Sequence, residues 1–446
     1  MTDPTTPENV DVLAIGGGPF NLGLAALTST VDDAEVLVVD SADRFAWHSG
    51  LMFDDAKLQV SFLSDLVSLV DPTHPLSFLA YLADVDRLYP FLVREDFFPT
   101  RREYEAYLLW VIDRVPGLRF GTTVEQVHWD EAAEHFEVVM RGPDGPATVI
   151  ARHVVVGIGT APVVPEVLQL ASVAPADSAS VIHSADYLPN RERVRRAGSV
   201  TVVGSGQSGA EIVADLLEAN LAGGPAVRWW TRTGWFAPLD FTKLSLEMTT
   251  PAYMEYFHAL PEATRDEVRK GHWQFHKGVS ADTLARIHDL LYRRELHGKL
   301  PAVQLRNGVT IEGIEPIADG GLRVRGRHHD TGKLLSHNTD LVIAATGYAE
   351  RRPDFLAPIS DRLRRDSCGR FVVETNHSVG ASGTLANRLF VANAEHHAYG
   401  VSAPNLDIGA VRNAKILNSV LGRQEYRLPR NTAFTSFGVD DDLVVE

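Results

Sequence analysis

Two glycine-rich turns place small residues where a backbone must come close to a large anion. The first is Gly16-Gly17-Gly18-Pro19-Phe20-Asn21 and the second Gly204-Ser205-Gly206-Gln207-Ser208-Gly209-Ala210. A pyrophosphate is that anion when the turn joins a strand to a helix N-terminus: the glycines permit the tight turn and the free amides face the charge. Asp40 follows the first turn at the spacing, about 20 residues, of a carboxylate that binds a ribose hydroxyl. The corresponding place after the second turn holds Thr231-Arg232-Thr233. A guanidinium without an acid suits a ribose 2′-phosphate, the NADP choice. One site is therefore assigned to Gly16, Gly18, Pro19, Phe20, Asn21 and Asp40. The other is assigned to Gly204, Gly206, Gln207, Ser208, Gly209 and Arg232. The chemistry would be redox chemistry carried by bound cofactors, which needs no Ser-His-Asp group and no metal. A single glycine turn in some other α/β fold is the alternative; two in matching contexts weigh against it.

These turns require strands before them and helices after them. Apolar runs at 12–15 and 199–203 read as buried parallel strands, and 22–27 and 211–218 as the helices that follow. Second strands are expected at 35–39 and 227–231. Residues 1–10 read as a disordered lead, and 45–75 as a long irregular connection of the kind that carries function. Helical spacing recurs at 77–82 and 102–115, and strands are expected at 120–127, 136–140 and 148–156. Helices at 243–248, 261–270 and 280–296 look separate from both Rossmann units. Short strands return at 303–324, then at 340–344, which ends in Ala345-Thr346-Gly347-Tyr348, and at 389–392. A last helix should begin near 405. The fold class is α/β, with two Rossmann-like dinucleotide-binding domains and a smaller helical substrate-binding segment. The expected limits are 1–165 with 330–430 for the first domain, 190–240 with 300–330 for the second, and 240–300 for the helical segment.

Composition narrows the function classes. The chain has 446 residues and 45% hydrophobic content, enough for two or three domains. A formal net charge of −16 argues against nucleic acid and anionic membranes as partners and mildly favours cationic small molecules. The one cysteine, Cys368, allows no internal disulfide and suggests a reducing compartment, the cytoplasm. The first ten residues are polar and acidic, unlike a signal peptide, and no apolar run of about 18 residues predicts a membrane span. The run Arg191-Glu192-Arg193 with Arg195-Arg196 reads as a solvated face.

Motifs along nearly the whole chain carry a narrower resemblance. They are Gly16-x-Gly18-Pro19-x-Asn21, Phe45-x-Trp47-His48, Leu58-Gln59-Val60 and the Phe-Leu-x-Asp-Leu-Val-x-Leu-x-Asp-Pro-Thr of 62–73. The second glycine turn, Ala345 to Tyr348, and Gly400 with Pro404-Asn405-Leu406 complete the set. The chain resembles the flavin-dependent N-hydroxylating monooxygenases of siderophore biosynthesis, the lysine and ornithine monooxygenase family. That resemblance implies FAD at the first turn and NADPH at the second. It implies oxygen transfer from a flavin hydroperoxide to a primary amine. It also adds Trp47, His48, Gln59, Thr346, Gly347, Pro404 and Leu406 to the cofactor residues, Gln59 near the flavin ring. His396 and His397 are weaker candidates for the flavin site, as is Lys277 for NADPH; each is as readily structural. Homo-oligomers are common in the family.

The resemblance also marks two departures. Family members acting on lysine or ornithine carry a lysine, beside the substrate carboxylate, where Ser64 stands here. Where amino-acid hydroxylases have a serine in the C-terminal loop, this chain has Asp407. Ser64 and Asp407, with Lys243 in the 236–251 stretch, look like the branch acting on diamines, putrescine or cadaverine. The physical chemistry agrees. A diamine is a dication with each amine near pKa ~10. One end must be held as ammonium by an acid, and the other delivered neutral in an apolar pocket, since only a lone pair attacks oxygen. One methylene separates the two diamines and leaves the choice open. L-lysine or L-ornithine hydroxylation is the alternative, and an NADPH-oxidising flavoprotein without hydroxylation is the alternative from another class.

Overall fold

The computed structural model describes residues 7–169, 180–318, 320–383 and 385–439. Two parallel sheets organise them. In the first, β1 (Glu8–Ile15) lies between β2 (Val36–Val39) and β6 (Gly145–Val156), parallel to both. β3 (Leu118–Arg119) extends the β2 side. An antiparallel pair, β5 (His135–Gly142) and β4 (Thr123–Asp130), extends the β6 side, and β17 (Leu389–Val391) joins β6 in parallel. The last four residues of β1 are all buried, as expected of a strand covered on both faces. α1 (Pro19–Thr28), α4 (Arg101–Ile112) and α12 (Gly409–Leu421) pack on one face through Leu22, Ala26, Tyr107, Leu108, Ile416 and Leu417. Between α1 and α4 lie the irregular stretch expected at 45–75 and two short helices, α2 (Phe78–Asp84) and α3 (Leu88–Val93).

The second sheet has β8 (Ser180–His183), β9 (Ser199–Val203), β10 (Ala226–Trp230), β11 (Val303–Arg306) and β15 (Leu341–Ala344), in the order β11-β10-β9-β15-β8 and all parallel. α7 (Gln207–Leu221) connects β9 to β10. A three-stranded meander, β12 (Val309–Pro316), β13 (Leu322–His328) and β14 (Leu334–Thr339), covers the opposite face through Trp230, Ile314 and Val324. The chain crosses to the second sheet after β6, preceded by β7 (Thr160–Pro162) and the single-turn α5 (Glu166–Gln169). It returns after β15 along β16 (Tyr348–Glu350), and β7 and β16 pair antiparallel.

Several expectations change. The strand β1 already begins at Glu8, so the proposed lead 1–10 is part sheet, and residues 1–6 lie outside the described ones. The limit at 330 moves, because β14 and β15 belong with the second domain, where β15 hydrogen-bonds to β9; β8 extends that domain before residue 190. The helical segment divides. α10 (Ala281–Glu295) packs on α7, and its Ile287 and Leu290 enter the second domain's core. Parallel β10 and β11 need a crossover, and α10 is that helix. α8 (Pro251–Ala259) and α9 (Glu262–Gly271) instead lie against α11 (His396–Tyr399). The helix expected at 243–248 is a 3-10 turn over Ser245–Thr249, and the last helix starts at Gly409 after another over Leu406–Ile408. The basic run lies on α6 (Tyr187–Arg196), and it is not wholly a solvated face. Arg191 and Arg195 both grip the buried Asp215 of α7, at 2.5 and 2.6 Å.

Candidate active site

The first glycine turn is shaped by contacts that leave no room for side chains. Gly16 has φ +105, and a Cβ there would stand 2.4 Å from the Gly157 carbonyl oxygen. Asn21 closes the turn, its amide donating to the carbonyls of Ile15 and Gly16 at 3.1 and 2.8 Å. Pro19 occupies the first turn of α1 and Gly18 caps it with no side-chain hydrogen bond. A Cβ on Gly18 would meet nothing within 4 Å. The helix end thus offers amides to an open space in front of Gly18, which fits a pyrophosphate. Asp40 reaches the turn itself: its carboxylate accepts from Gly17 N at 2.5 Å. Phe20 faces α12, with the Arg412 guanidinium 4.5 Å above its ring and the Asn413 amide donating to its carbonyl at 2.8 Å.

The second turn repeats this design with one exchange. Gly16 N donates to Val39 O and Gly204 N to Trp230 O, at 2.7 and 2.9 Å, so Thr231 stands where Asp40 stands. Its hydroxyl donates to Ser205 Oγ at 2.8 Å, a neutral contact in place of the carboxylate. Gly204 has φ +118, and a Cβ would sit 2.1 Å from Ala345 O. Gly206 caps α7 without a side-chain bond, Gly209 packs against Gly204 O, and Ser208 is half-buried in the first turn. Arg232 is exposed and has no ion pair among the described residues. Gln207 is tied down more than expected, donating to Glu211 and Thr283 at 2.9 and 3.0 Å and accepting from Ser280 N at 2.8 Å.

Gln59 and Gln207 line one cavity of about 1060 Å³ between the two domains. Gln59 Nε2 is buried with no hydrogen-bond partner, an orphaned donor that fits the polar edge of a flavin ring. Trp47 packs at 5.1 Å from Tyr104 and His48. His48, in the left-handed region at φ 50, is exposed yet closely surrounded by protein. Poor solvation pushes its pKa down to about 4, and the Arg101 charge adds to this. Thr346 donates to Val163 O, and Gly347, at φ +87, accepts from Val163 N at 2.9 Å, so both hold the crossing between the sheets. Pro404 is exposed and Leu406 packs on the first domain's core. His397 bonds Phe371 O at 2.7 Å in the core, His396 packs 5.2 Å from His276, and Lys277 is exposed.

The substrate candidates come together from distant parts of the chain. The Ser64 hydroxyl donates to the Asp407 carboxylate. Thr249 donates to the other carboxylate oxygen at 3.3 Å, and Asn405 accepts from Asp407 N at 3.1 Å. Ser64 is buried, and burial pushes the Asp407 carboxyl up against the hydrogen bonds that favour its charge. Among the described residues no cation pairs with Asp407. Lys243 is exposed and has no hydrogen bond or ion pair there. Thr249, six residues on, is the residue of that stretch that bonds Asp407. The sequence signal for Thr249 was only its position in the 236–251 stretch.

Behind this loop lies a group that sequence reasoning missed. Arg412 and Glu395 are fully buried and 2.8 Å apart, and Arg412 donates to Ala403 O. One guanidinium thus touches the loop that carries Asp407 and the ring of Phe20. Arginine at an apolar helix position gives no hint of this.

Comparison with known proteins places these features in a family. Residues 8–350 match the L-lysine 6-monooxygenase/L-ornithine 5-monooxygenase family. The putrescine N-hydroxylase of Shewanella oneidensis is 36% identical over 97% of this chain and 86% of its own. The rhizobactin siderophore biosynthesis protein RhbE of Rhizobium meliloti is 37% identical over 96% of this chain and 95% of its own. Among solved structures, the FAD-bound cadaverine monooxygenase DfoA of Erwinia amylovora superposes with a TM-score of 0.91 at 36% identity, over 98% of this chain and 100% of that one. With two dinucleotide turns, a shared interdomain cavity and this likeness over nearly its full length, the chain belongs to the L-lysine 6-monooxygenase/L-ornithine 5-monooxygenase family.

Proposed function

We propose that this protein is an FAD- and NADPH-dependent monooxygenase that hydroxylates one primary amine of an aliphatic diamine, putrescine or cadaverine, early in hydroxamate siderophore assembly. The observation that carries the reading is the half-buried Asp407 carboxylate, bonded to Ser64 and Thr249 and with no cation on it among the described residues. A diamine ammonium completes that site with a charge-assisted hydrogen bond. A substrate carboxylate would lose water without a partner and face a like charge, at several kcal/mol. The named activities of the Shewanella and Erwinia relatives support the same substrate class.

FAD, reduced by NADPH, supplies the activated oxygen when bound. The first turn with Asp40 would hold its pyrophosphate and ribose, and Gln59 would donate to its ring. The second turn would hold NADPH, with Arg232 at the 2′-phosphate. Asp407 would anchor the ammonium, and the far amine, after giving its proton to water, would meet the oxygen as a free base. We place the enzyme in the cytoplasm as a homo-oligomer. Support for the latter is α3, which buries none of its residues and exposes Tyr89, Leu92 and Val93.

The test is hydroxylamine product, not NADPH consumption, over putrescine, cadaverine, lysine and ornithine. Diamines should be favoured by a hundredfold or more in kcat/KM, about 2.7 kcal/mol. Ser64→Lys should cut diamine turnover, and with Asp407→Ser it should admit some lysine. Lysine or ornithine turnover by the unmodified enzyme at diamine rates would overturn the substrate class. NADPH oxidation giving only peroxide would overturn hydroxylation itself.

A further inference from the structure

β11 ends at Arg306, beside the end of β10. Trp230 and Arg306 are register partners, and Thr231 N donates to Arg306 O at 2.9 Å. Beyond the strands the two backbones stay joined. Gly308 N donates to Thr233 O and Val309 N to Thr231 O, both at 2.8 Å, and the Asn307 amide donates to Gly234 O. The segment carrying Arg232 is therefore locked against the segment that begins with Arg306, one strand spacing of about 4.8 Å away.

Arg306 is half-buried, its Nε is sealed from solvent without a hydrogen bond, and no carboxylate pairs with it among the described residues. A buried donor with nothing to donate to calls for an explanation. The arginines of β13, by contrast, have partners: Arg323 and Arg325 pair with Glu315 and Arg327 with Glu312. Two unneutralised guanidiniums, Arg232 and Arg306, thus stand on adjacent strand ends in a chain of net charge −16. They lie at the carboxyl edge of a parallel sheet, beside its first strand's glycine turn, where a dinucleotide binds. Burial, with the Arg228 charge and then the Arg306 charge, lowers the His337 pKa to about 4, so His337 brings no competing charge near neutral pH.

We propose that Arg306 is a second ligand of the NADPH 2′-phosphate, which it brackets with Arg232. The inference rests on placing that phosphate at Arg232. Two forks from adjacent strands hold a dianion more selectively than one, because each donates along a fixed direction.

The experiment titrates FAD-loaded enzyme with 2′,5′-ADP and with 5′-ADP by calorimetry. Arg306→Ala should weaken 2′,5′-ADP about tenfold and leave 5′-ADP within twofold, and Arg306→Lys should recover part of the loss. FAD content and Tm control for folding. Unchanged 2′,5′-ADP affinity, or equal loss for both probes, would overturn the proposal and leave Arg306 as a filler beside Trp230. Arg232→Ala separates the two ideas. If it weakens 2′,5′-ADP while Arg306→Ala does not, only Arg306 is misassigned. If neither variant matters, the phosphate does not bind at this corner.

Discussion

At the scale of single residues, the same position in two similar turns takes opposite chemistry. Asp40 bonds Gly17 N, while Thr231, its equivalent, bonds Ser205 and leaves the charge to Arg232. An acid at both turns would have repelled the 2′-phosphate. Gly18 has open space where a Cβ would stand, so Gly18→Val should fold but lose FAD, seen as colourless protein with normal circular dichroism. Full flavin occupancy in that variant would misplace the pyrophosphate. Asp407 makes a sharper case. Burial raises its pKa above the unfolded value near 3.9, so the folded state binds that proton more tightly than the unfolded chain. Its contribution to stability is therefore fully present below the unfolded pKa and is lost as pH rises through the folded one. Asp407→Asn should raise Tm at pH 8 more than at pH 5 in the absence of amine, and it should lower diamine kcat/KM by removing the charged partner of the ammonium. A variant that loses Tm at pH 8 would contradict the burial argument.

At the scale of elements, α12 is the piece that relates the first glycine turn to the loop carrying Asp407. Arg412 donates to Ala403 O and lies over Phe20, and Asn413 donates to Phe20 O. Asn413→Ala leaves that carbonyl without its partner in a half-buried place, at about 1–3 kcal/mol. The expected result is a lower Tm together with weaker FAD retention, measured as flavin released on gel filtration. Loss of stability with unchanged flavin affinity would reduce α12 to a packing role. The second turn depends on close approach in the same way, since Gly209 sits against Gly204 O and leaves no space for a methyl.

At the scale of the whole molecule, the domains meet through apolar contacts, with Leu51, Phe53 and Ala56 packed in the second domain's core, and through polar ties beside them. Arg101 at the start of α4 makes a bidentate pair with Glu211 of α7, at 2.9 and 2.7 Å, and also donates to Leu51 O at 2.9 Å. Glu211 in turn accepts from Gln207 of the second glycine turn. Arg286 of α10 adds a second tie to Asp55. Both members of the Arg101 pair are largely buried, so Arg101→Met strands a carboxylate and should cost about 3 kcal/mol. Because the tie links the first domain to the second glycine turn, its loss should also slow anaerobic flavin reduction more than reoxidation by O₂. Equal effects on the two half-reactions would mean that the tie serves stability alone.

The amino-acid sequence by itself determined whatever depends on local geometry. Glycines at fixed spacing between a strand and a helix dictate a tight turn with free amides, and the acid or hydroxyl at the next strand end sets what bonds that turn. Both can be read within about 30 residues because the chemistry is built there. Chain motifs likewise marked Ser64 and Asp407, but not that they touch. Only the tertiary structure brought these two and Thr249 together, since contacts between remote segments arise from packing that local pattern does not encode. The same cause hid α10 as the crossover of the second domain and Arg191 and Arg195 as partners of Asp215. It also hid the buried Arg412 and Glu395. A charged side chain reads as solvated until the fold covers it, and its partner, which alone makes burial tolerable, lies elsewhere in the chain.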